Sequence, residues 1–165
     1  MTVISDSSPL ITLAKIGRLS LLPQLYQAIV ITPEVYDEVV VSGAGLAGSA
    51  EVAISKWIDI RPVKNPADLT MARQEFGLGI GELSAIRLGI EANADLVLID
   101  EIKARKIATE HGLAILGCVG VLEDAFSLHL LSDLTQAYRQ LLSAGAYVGP
   151  EILESSLRAL HLPPL

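Results

Sequence analysis

The run Asp95-Leu96-Val97-Leu98-Ile99, closed by Asp100 and Glu101, decides how this chain folds. A short, unbroken apolar stretch has no polar face to offer solvent, so it is expected as a strand buried on both sides of a parallel sheet. The residues that follow, Glu101 to His111, have helical character and stop at Gly112, where glycine ends a helix without strain. A strand that passes directly into a helix is the unit of parallel α/β architecture.

The same alternation extends in both directions from this run. Thr2 to Ser5, Ala28 to Ile31, Trp57 to Ile60 and Ala114 to Leu116 are the other β-prone stretches. Ser7-Ser8-Pro9 and Thr32-Pro33 each read as a cap followed by proline at the first helical position. They open helices through Ile16 and from Glu34 to Val41. Arg18 to Tyr26, the stretch after the Gly-rich turn up to Lys56, Asn65-Pro66 to Gly77, and Gly81 to Ala92 read as further helices. The tail beyond Val119 reads as helices broken at Ser132-Asp133 and from Gly145 to Pro150. The expected product is one domain over residues 1–165: a central parallel sheet of four or five strands between helices. Residues 132–165 are expected as a helical C-terminal extension used in packing or dimerisation.

Composition narrows the function. With 51% apolar and 19% charged residues among 165, the chain has ample material for a core, which excludes disordered and disulfide-scaffold classes. A net charge of −7 is the wrong sign for gripping nucleic acid by bulk attraction, so any such binding must be local. One cysteine, Cys118, forms no internal disulfide, and the start carries no secretory signal. No apolar run approaches the ~20 residues a bilayer requires, so a cytoplasmic protein with no membrane association is expected. A mean hydropathy of +0.49 is high, and surplus apolar surface argues for a homo-oligomer or a protein partner.

In parallel α/β sheets ligands bind outside the carboxyl ends of the strands, and acidic residues stand at two such ends. Asp6 directly follows the strand Thr2 to Ser5. Helix capping is the ordinary role there, but Ser8, immediately before Pro9, is expected to fill it and leave Asp6 spare. Asp100 ends the strand from Asp95 in the same way, with Glu101 beside it; a cap with a dipole-favoured glutamate is the ordinary reading. Glu82 lies in the first turn of its helix, on the side of Ile86 and Gly89, while Ser84, Arg87 and Glu91 lie opposite. Such a carboxylate on the buried stripe needs a reason, and a metal supplies one. On the helix after Pro33, Asp37 and Glu38 flank the apolar stripe equally, and periodicity does not choose between them. Two carboxylates ~5 Å apart repel by about 3 kcal/mol at an effective dielectric near 20. If four such acids converge, a hard cation such as Mg²⁺ or Mn²⁺ is required, with Zn²⁺ disfavoured by the absence of nitrogen and sulfur ligands. Metal-assisted phosphodiester hydrolysis is the implied chemistry.

The ordered set VISDSSPLI, TPEVYDEVV, GIGELSAIRLG and LVLIDEIKARKIA resembles the PIN-domain nucleases, in particular the short branch of VapC-like toxins and a little-characterised subfamily close to it. The resemblance spans about Met1 to Leu131. It implies a three-layer α/β/α sandwich whose acids bind Mg²⁺ or Mn²⁺ and cut single-stranded RNA, in some members as the toxin paired with an antitoxin protein. By position it implies that Asp6, Glu38, Glu82 and Asp100 are catalytic, with Asp6, Glu82 and either Asp100 or Glu101 on the metal. The central acid is Glu where many members carry Asp, and Ile99-Asp100-Glu101 replaces the usual Thr-x-Asp.

Ser7, Lys103, Arg105 and Lys106 are candidate contacts to the nucleic-acid backbone, although such a basic run is often only a solvated helix face. Gly43-Ala44-Gly45-Leu46-Ala47-Gly48 matches a dinucleotide-binding fingerprint after Val39-Val40-Val41. It competes with the helix that Thr32-Pro33 begins through that supposed strand, and Asp59 would sit inside the second strand, so a flexible turn is the better account. His111, His129 and His161 lack metal-ligand spacing, Cys118 reads as a buried thiol, and Leu128 to Leu134 and Leu153 to Leu162 as core or dimer contact. The functional alternative is a catalytically inactive PIN-like module that binds a protein partner.

Overall fold

The computed structural model describes residues 1–165 and contains one parallel sheet of five strands in the order β3-β2-β1-β4-β5. The strands are β1 Val3–Ser5, β2 Ile29–Ile31, β3 Ile58–Ile60, β4 Leu96–Leu98 and β5 Ile115–Leu116. The expected apolar runs supply all five; the stretch that opened the sequence reading is β4, paired with β1 in the register Val3↔Leu96 and Ser5↔Leu98.

Ten α-helices surround the sheet, and the two-residue period of the strands sorts them into layers. Val3, Ile29, Ile31 and Leu98 point to one face. They pack against α1 Ser7–Lys15, α2 Leu21–Tyr26, α8 Cys118–Ser127, α9 Leu134–Ser143 and α10 Pro150–Ala159. Ile4, Val30, Val97 and Ile99 point to the other, against α5 Asp68–Phe76, α6 Ile80–Glu91 and α7 Ile102–Glu110. This is the three-layer α/β/α sandwich. Tyr138, Leu141, Leu153 and Leu157 of the last two helices are fully buried in the first layer. No helix is long and apolar enough to cross a membrane.

Helix α3 covers only Pro33–Tyr36, capped by the Thr32 hydroxyl, and then widens into a π-helical turn over Asp37–Val41. That turn overturns the dinucleotide-binding reading of Gly43 to Gly48, because Val39 to Val41 is helical and no strand precedes the glycines. Their spacing has a local cause. A Cβ on Gly43 would lie 2.5 Å from the Val39 carbonyl oxygen and 2.8 Å from that of Glu38, and Gly48 adopts a left-handed φ of 88° before α4 Ser49–Ile54.

Helix α6 departs from its expected pattern. Ser84, read as outward-facing, is fully buried and exchanges a 2.6 Å hydrogen bond with Thr32. The helix lies between the sheet, α3, α5 and α7, so almost every side has a neighbour and a single apolar stripe is no guide to orientation. It approaches the sheet closely at Gly89, where a Cβ would meet Val97 at 3.0 Å and Leu113, just before β5, at 3.1 Å.

The strand order reverses at β1. The chain builds outward through β2 to the edge at β3, then returns across β1 to lay down β4 and the other edge, β5. A crevice forms at such a reversal outside the carboxyl ends of the strands, between the ends of β1 and β4. The close approach at Gly89 predicts that Gly89→Val, which adds a branched side chain at that contact, lowers stability by about 2 kcal/mol or more in urea denaturation; an unchanged midpoint would show that α6 moves freely on the sheet.

Candidate active site

Asp6 and Asp100 leave the two central strands side by side. The Asp6 amide extends the ladder by donating to the Leu98 carbonyl at 3.0 Å. Asp6 stands at the N-cap position of α1, yet its side chain makes no capping hydrogen bond. Ser8 does not cap the helix either, which corrects the sequence reading: α1 begins at Ser7, and the Ser8 hydroxyl donates to Asp100 Oδ2 at 3.3 Å. The Asp6 carboxyl is therefore spare for a different reason from the one expected, and it is 1% exposed. Burial pushes its pKa up to about 7; the amide and hydroxyl of Ser7 oppose this, and the charges of Glu82 and Glu38 add to it.

The structure chooses between Asp37 and Glu38. Asp37 is exposed, whereas Glu38 is half-buried and turned toward the amino end of α6. Glu38 Oε1 accepts from the Gly81 amide at 3.0 Å and Oε2 from the Ser7 hydroxyl at 2.5 Å. Ser7 Oγ also lies 3.3 Å from Asp6 Oδ1. A serine hydroxyl has one hydrogen to give, and the shorter bond takes it.

Glu82 occupies the third position of α6, and its Oε2 accepts from the Gly79 amide at 3.0 Å. Helix capping thus supplies part of the reason that the sequence left to a metal. Burial again raises the carboxyl pKa, opposed by the Gly79 amide and reinforced by Glu101 and Glu38.

Asp100 and Glu101 divide their roles. Glu101 is the N-cap of α7, accepting from the Ala104 amide at 2.6 Å. Asp100 accepts from the Cys118 amide at 2.7 Å on Oδ1 and from the Cys118 thiol at 3.1 Å on Oδ2. Burial pushes the Cys118 thiol well up, with the Asp100 charge adding to the effect; the thiol is a donor to the acid and not a nucleophile. Gly117 permits the approach: a Cβ there would sit 2.6 Å from Arg105 Nη1 and 2.9 Å from Asp100 Oδ1.

Asp6, Glu38, Glu82, Asp100 and Glu101 line one cavity of about 910 Å³. None is paired with a lysine or arginine; the only ion pair in the structure is Lys106–Glu110 at 4.0 Å on the surface of α7. No three of the carboxylates are drawn together into a group arranged to hold a metal ion. The donor set nonetheless fits a hard divalent cation in kind, being all oxygen and without countercharge. Of the expected nucleic-acid contacts, Ser7 and Arg105 line the cavity, and Lys103 and Lys106 lie outside it.

Sequence reasoning missed Lys15, Thr12, Cys118 and Tyr147 in the lining. Ser8, Thr12 and Lys15 are four and three residues apart on α1, a helical spacing that places them on one face. That signal was present once the helix was assigned.

The family model described as DUF3368, PIN domain, matches residues 2–161, so the helices beyond Ser132 lie within the matched region. No curated protein matches the chain.

The buried carboxyl of Asp6 predicts a pH-dependent stability. Between the ordinary value of 3.8 and about 7, the folded chain keeps a proton that the unfolded chain has lost, so stability falls as pH rises through this window and is level above it. The ceiling on the effect is about 4 kcal/mol. Asp6→Asn removes the ionisable group, and by urea denaturation it is expected to be more stable than the parent at pH 8 by roughly 2 kcal/mol or more, with the gap closing at pH 4.

Proposed function

Since the chain belongs to the PIN-domain family, whose model matches nearly its whole length, we propose that it is a divalent-metal-dependent endoribonuclease acting on single-stranded RNA. One observation carries this reading: acids from the ends of β1 and β4, the π-helical turn and the start of α6 line one cavity at the strand reversal, and none of them is salt-bridged to a basic side chain. In this reading Asp6, Glu82 and Asp100 hold Mg²⁺ or Mn²⁺, and Glu38 completes the site or orients water. Glu101, committed to capping α7, is the weaker candidate for the fourth strand's ligand.

Bound there, the ion would offset the mutual repulsion of the carboxylates and stabilise charge on the phosphate and the departing oxygen. The remaining work belongs to the chain. Ser7 fixes the rotamer of Glu38, and Ser8 and Cys118 fix both oxygens of Asp100. These bonds give Glu38 and Asp100 defined orientations. Arg105 and Lys15 are the cations in the lining and contact substrate phosphates; Lys103 and Lys106, on the exposed face of α7, contribute only long-range attraction. In the reaction a water oxygen adds to phosphorus, one P–O bond of the diester breaks, and the departing oxygen takes a proton.

A toxin role, with an antitoxin as partner and a homodimer as the working unit, belongs to the same proposal. Its support is the exposure of Val41, Leu46 and Ile54 on adjoining segments around α4, together with the high mean hydropathy. The competing reading is an inactive PIN-like binding module. It is favoured by the engagement of Glu38 and Glu82 with backbone amides and by the absence of any three acids arranged around one point.

Asp6→Asn and Asp100→Asn should each reduce Mn²⁺-dependent cleavage of a single-stranded RNA at least 100-fold while circular dichroism is unchanged; undiminished cleavage would refute the assignment. Gly81→Ala offers a subtler probe, because its Cβ would lie 2.5 Å from Glu38 Oε2 and displace that carboxylate without removing a charge. Helix propensity favours alanine by up to ~1 kcal/mol, so the variant should fold and cut about tenfold more slowly. Calorimetry with Mn²⁺ separates the two readings, since no heat of binding at millimolar metal favours the inactive module.

A further inference from the structure

The acids, Glu123 of α8 among them, account for only part of the cavity lining. Its lining also includes Ile11, Val119, Val148 and Ile152, from α1, α8, the loop between α9 and α10, and α10. In that loop Tyr147 also lines the cavity, with its side chain wholly in solvent at 107% exposure. It is the one exposed aromatic residue of the chain: Tyr26 and Tyr138 are buried, and Tyr36, Trp57, Phe76 and Phe126 are half-buried. Ile102, at the start of α7, lines the same cavity and is 81% exposed. Exposed apolar side chains that adjoin one another beside a cavity mark a binding surface in a way that scattered ones do not.

The mixture of groups selects the occupant. Lys15 and Arg105 favour an anion, whereas the apolar wall and Tyr147 favour a flat, weakly polar group. A neutral apolar peptide would gain nothing from the two cations. A single nucleic-acid strand carries its charge on a backbone set apart from its bases, so its phosphates can meet the cations of the lining while a base reaches the apolar wall.

We infer that Tyr147, with Val148 and Ile152, forms a platform on which a nucleobase next to the cleaved phosphodiester stacks. This rests on the nuclease reading of the acidic end and adds to it the class of strand selected. Bases in a duplex are already stacked on one another and unavailable to Tyr147, so the platform demands unpaired substrate. Stacking on an aromatic face is open to every base, so it confers preference for single strands with little preference for sequence.

The test compares binding of a fluorescent single-stranded RNA decamer and of the same decamer with abasic sites, by anisotropy in Ca²⁺, to the parent, Tyr147→Ala and Tyr147→Trp. Tyr147→Ala should bind the intact decamer about tenfold more weakly, near the low end of the stacking range, and should bind the abasic decamer as the parent does; Tyr147→Trp should restore the loss. Equal affinity of all three proteins for the intact decamer overturns the platform, as does equal weakening on the abasic strand. A change in sedimentation of Tyr147→Ala with RNA affinity unaltered also overturns it, because the residue would then serve a protein interface. Cleavage is not the readout, so a failure of Mn²⁺-dependent hydrolysis and a failure of base stacking are seen separately.

Discussion

The structure turns on a carboxyl group placed where solvent cannot reach it. Asp6 follows the central strand, is 1% exposed, and faces further acids with no basic partner. Burial of an unpaired charge is among the more costly arrangements a fold can adopt. The response is spread over its neighbours: Asp6 is held near neutrality, Glu38 and Glu82 take hydrogen bonds from the open end of α6, and Asp100 takes them from Cys118 and Ser8. Each of these donors is neutral. They orient the acids without cancelling their charge, so the cavity keeps its negative potential, whereas a lysine or arginine in the same positions would have removed it. Stability is conceded at the point where acids meet without a salt-bridged partner, as happens where function and folding compete.

Topology explains why the concession falls there. The sheet reverses its building direction between β1 and β4, so the loops leaving their carboxyl ends diverge and leave a crevice. The amino end of α6, from the second core layer, and the π-helical turn, whose Val39 packs in the first, both line that crevice. A regular α-helix through Asp37–Val41 would place Glu38 on a different bearing; the widened turn is accommodated because Gly43 lets the chain pass close over the carbonyls of Glu38 and Val39.

Much of this was readable from residue order alone. The five strands were legible because buried parallel strands leave short, unbroken apolar runs, and Asp95 to Ile99 is such a run. The acids at strand ends were legible for the same reason, since a polar residue directly after an apolar run marks where the strand leaves the sheet. What escaped is tertiary. The stripe assigned to α6 failed at Ser84 because neighbours on several sides bury that helix, and amphipathic periodicity has meaning only when one side is wet. The π-helical turn escaped because its residues have ordinary helical character. The division of labour between Asp100 and Glu101 depends on which carboxylate meets the Ala104 amide, which sequence adjacency does not determine. Cys118 was read as an inert thiol, and the partner that gives it a purpose lies eighteen residues away. Tyr147 sits in a segment whose glycines and proline announce a break in helix and nothing about the wall it completes.

The margins of the sheet carry a consequence of their own. β3 is three residues long with Asp59 at its centre, exposed and level with Val30 of β2, and β5 has only two residues. A free strand edge invites another chain to add to it, and brevity together with a charge is the usual deterrent. The chain therefore tolerates its apolar composition without offering a strand edge as a template for fibril growth.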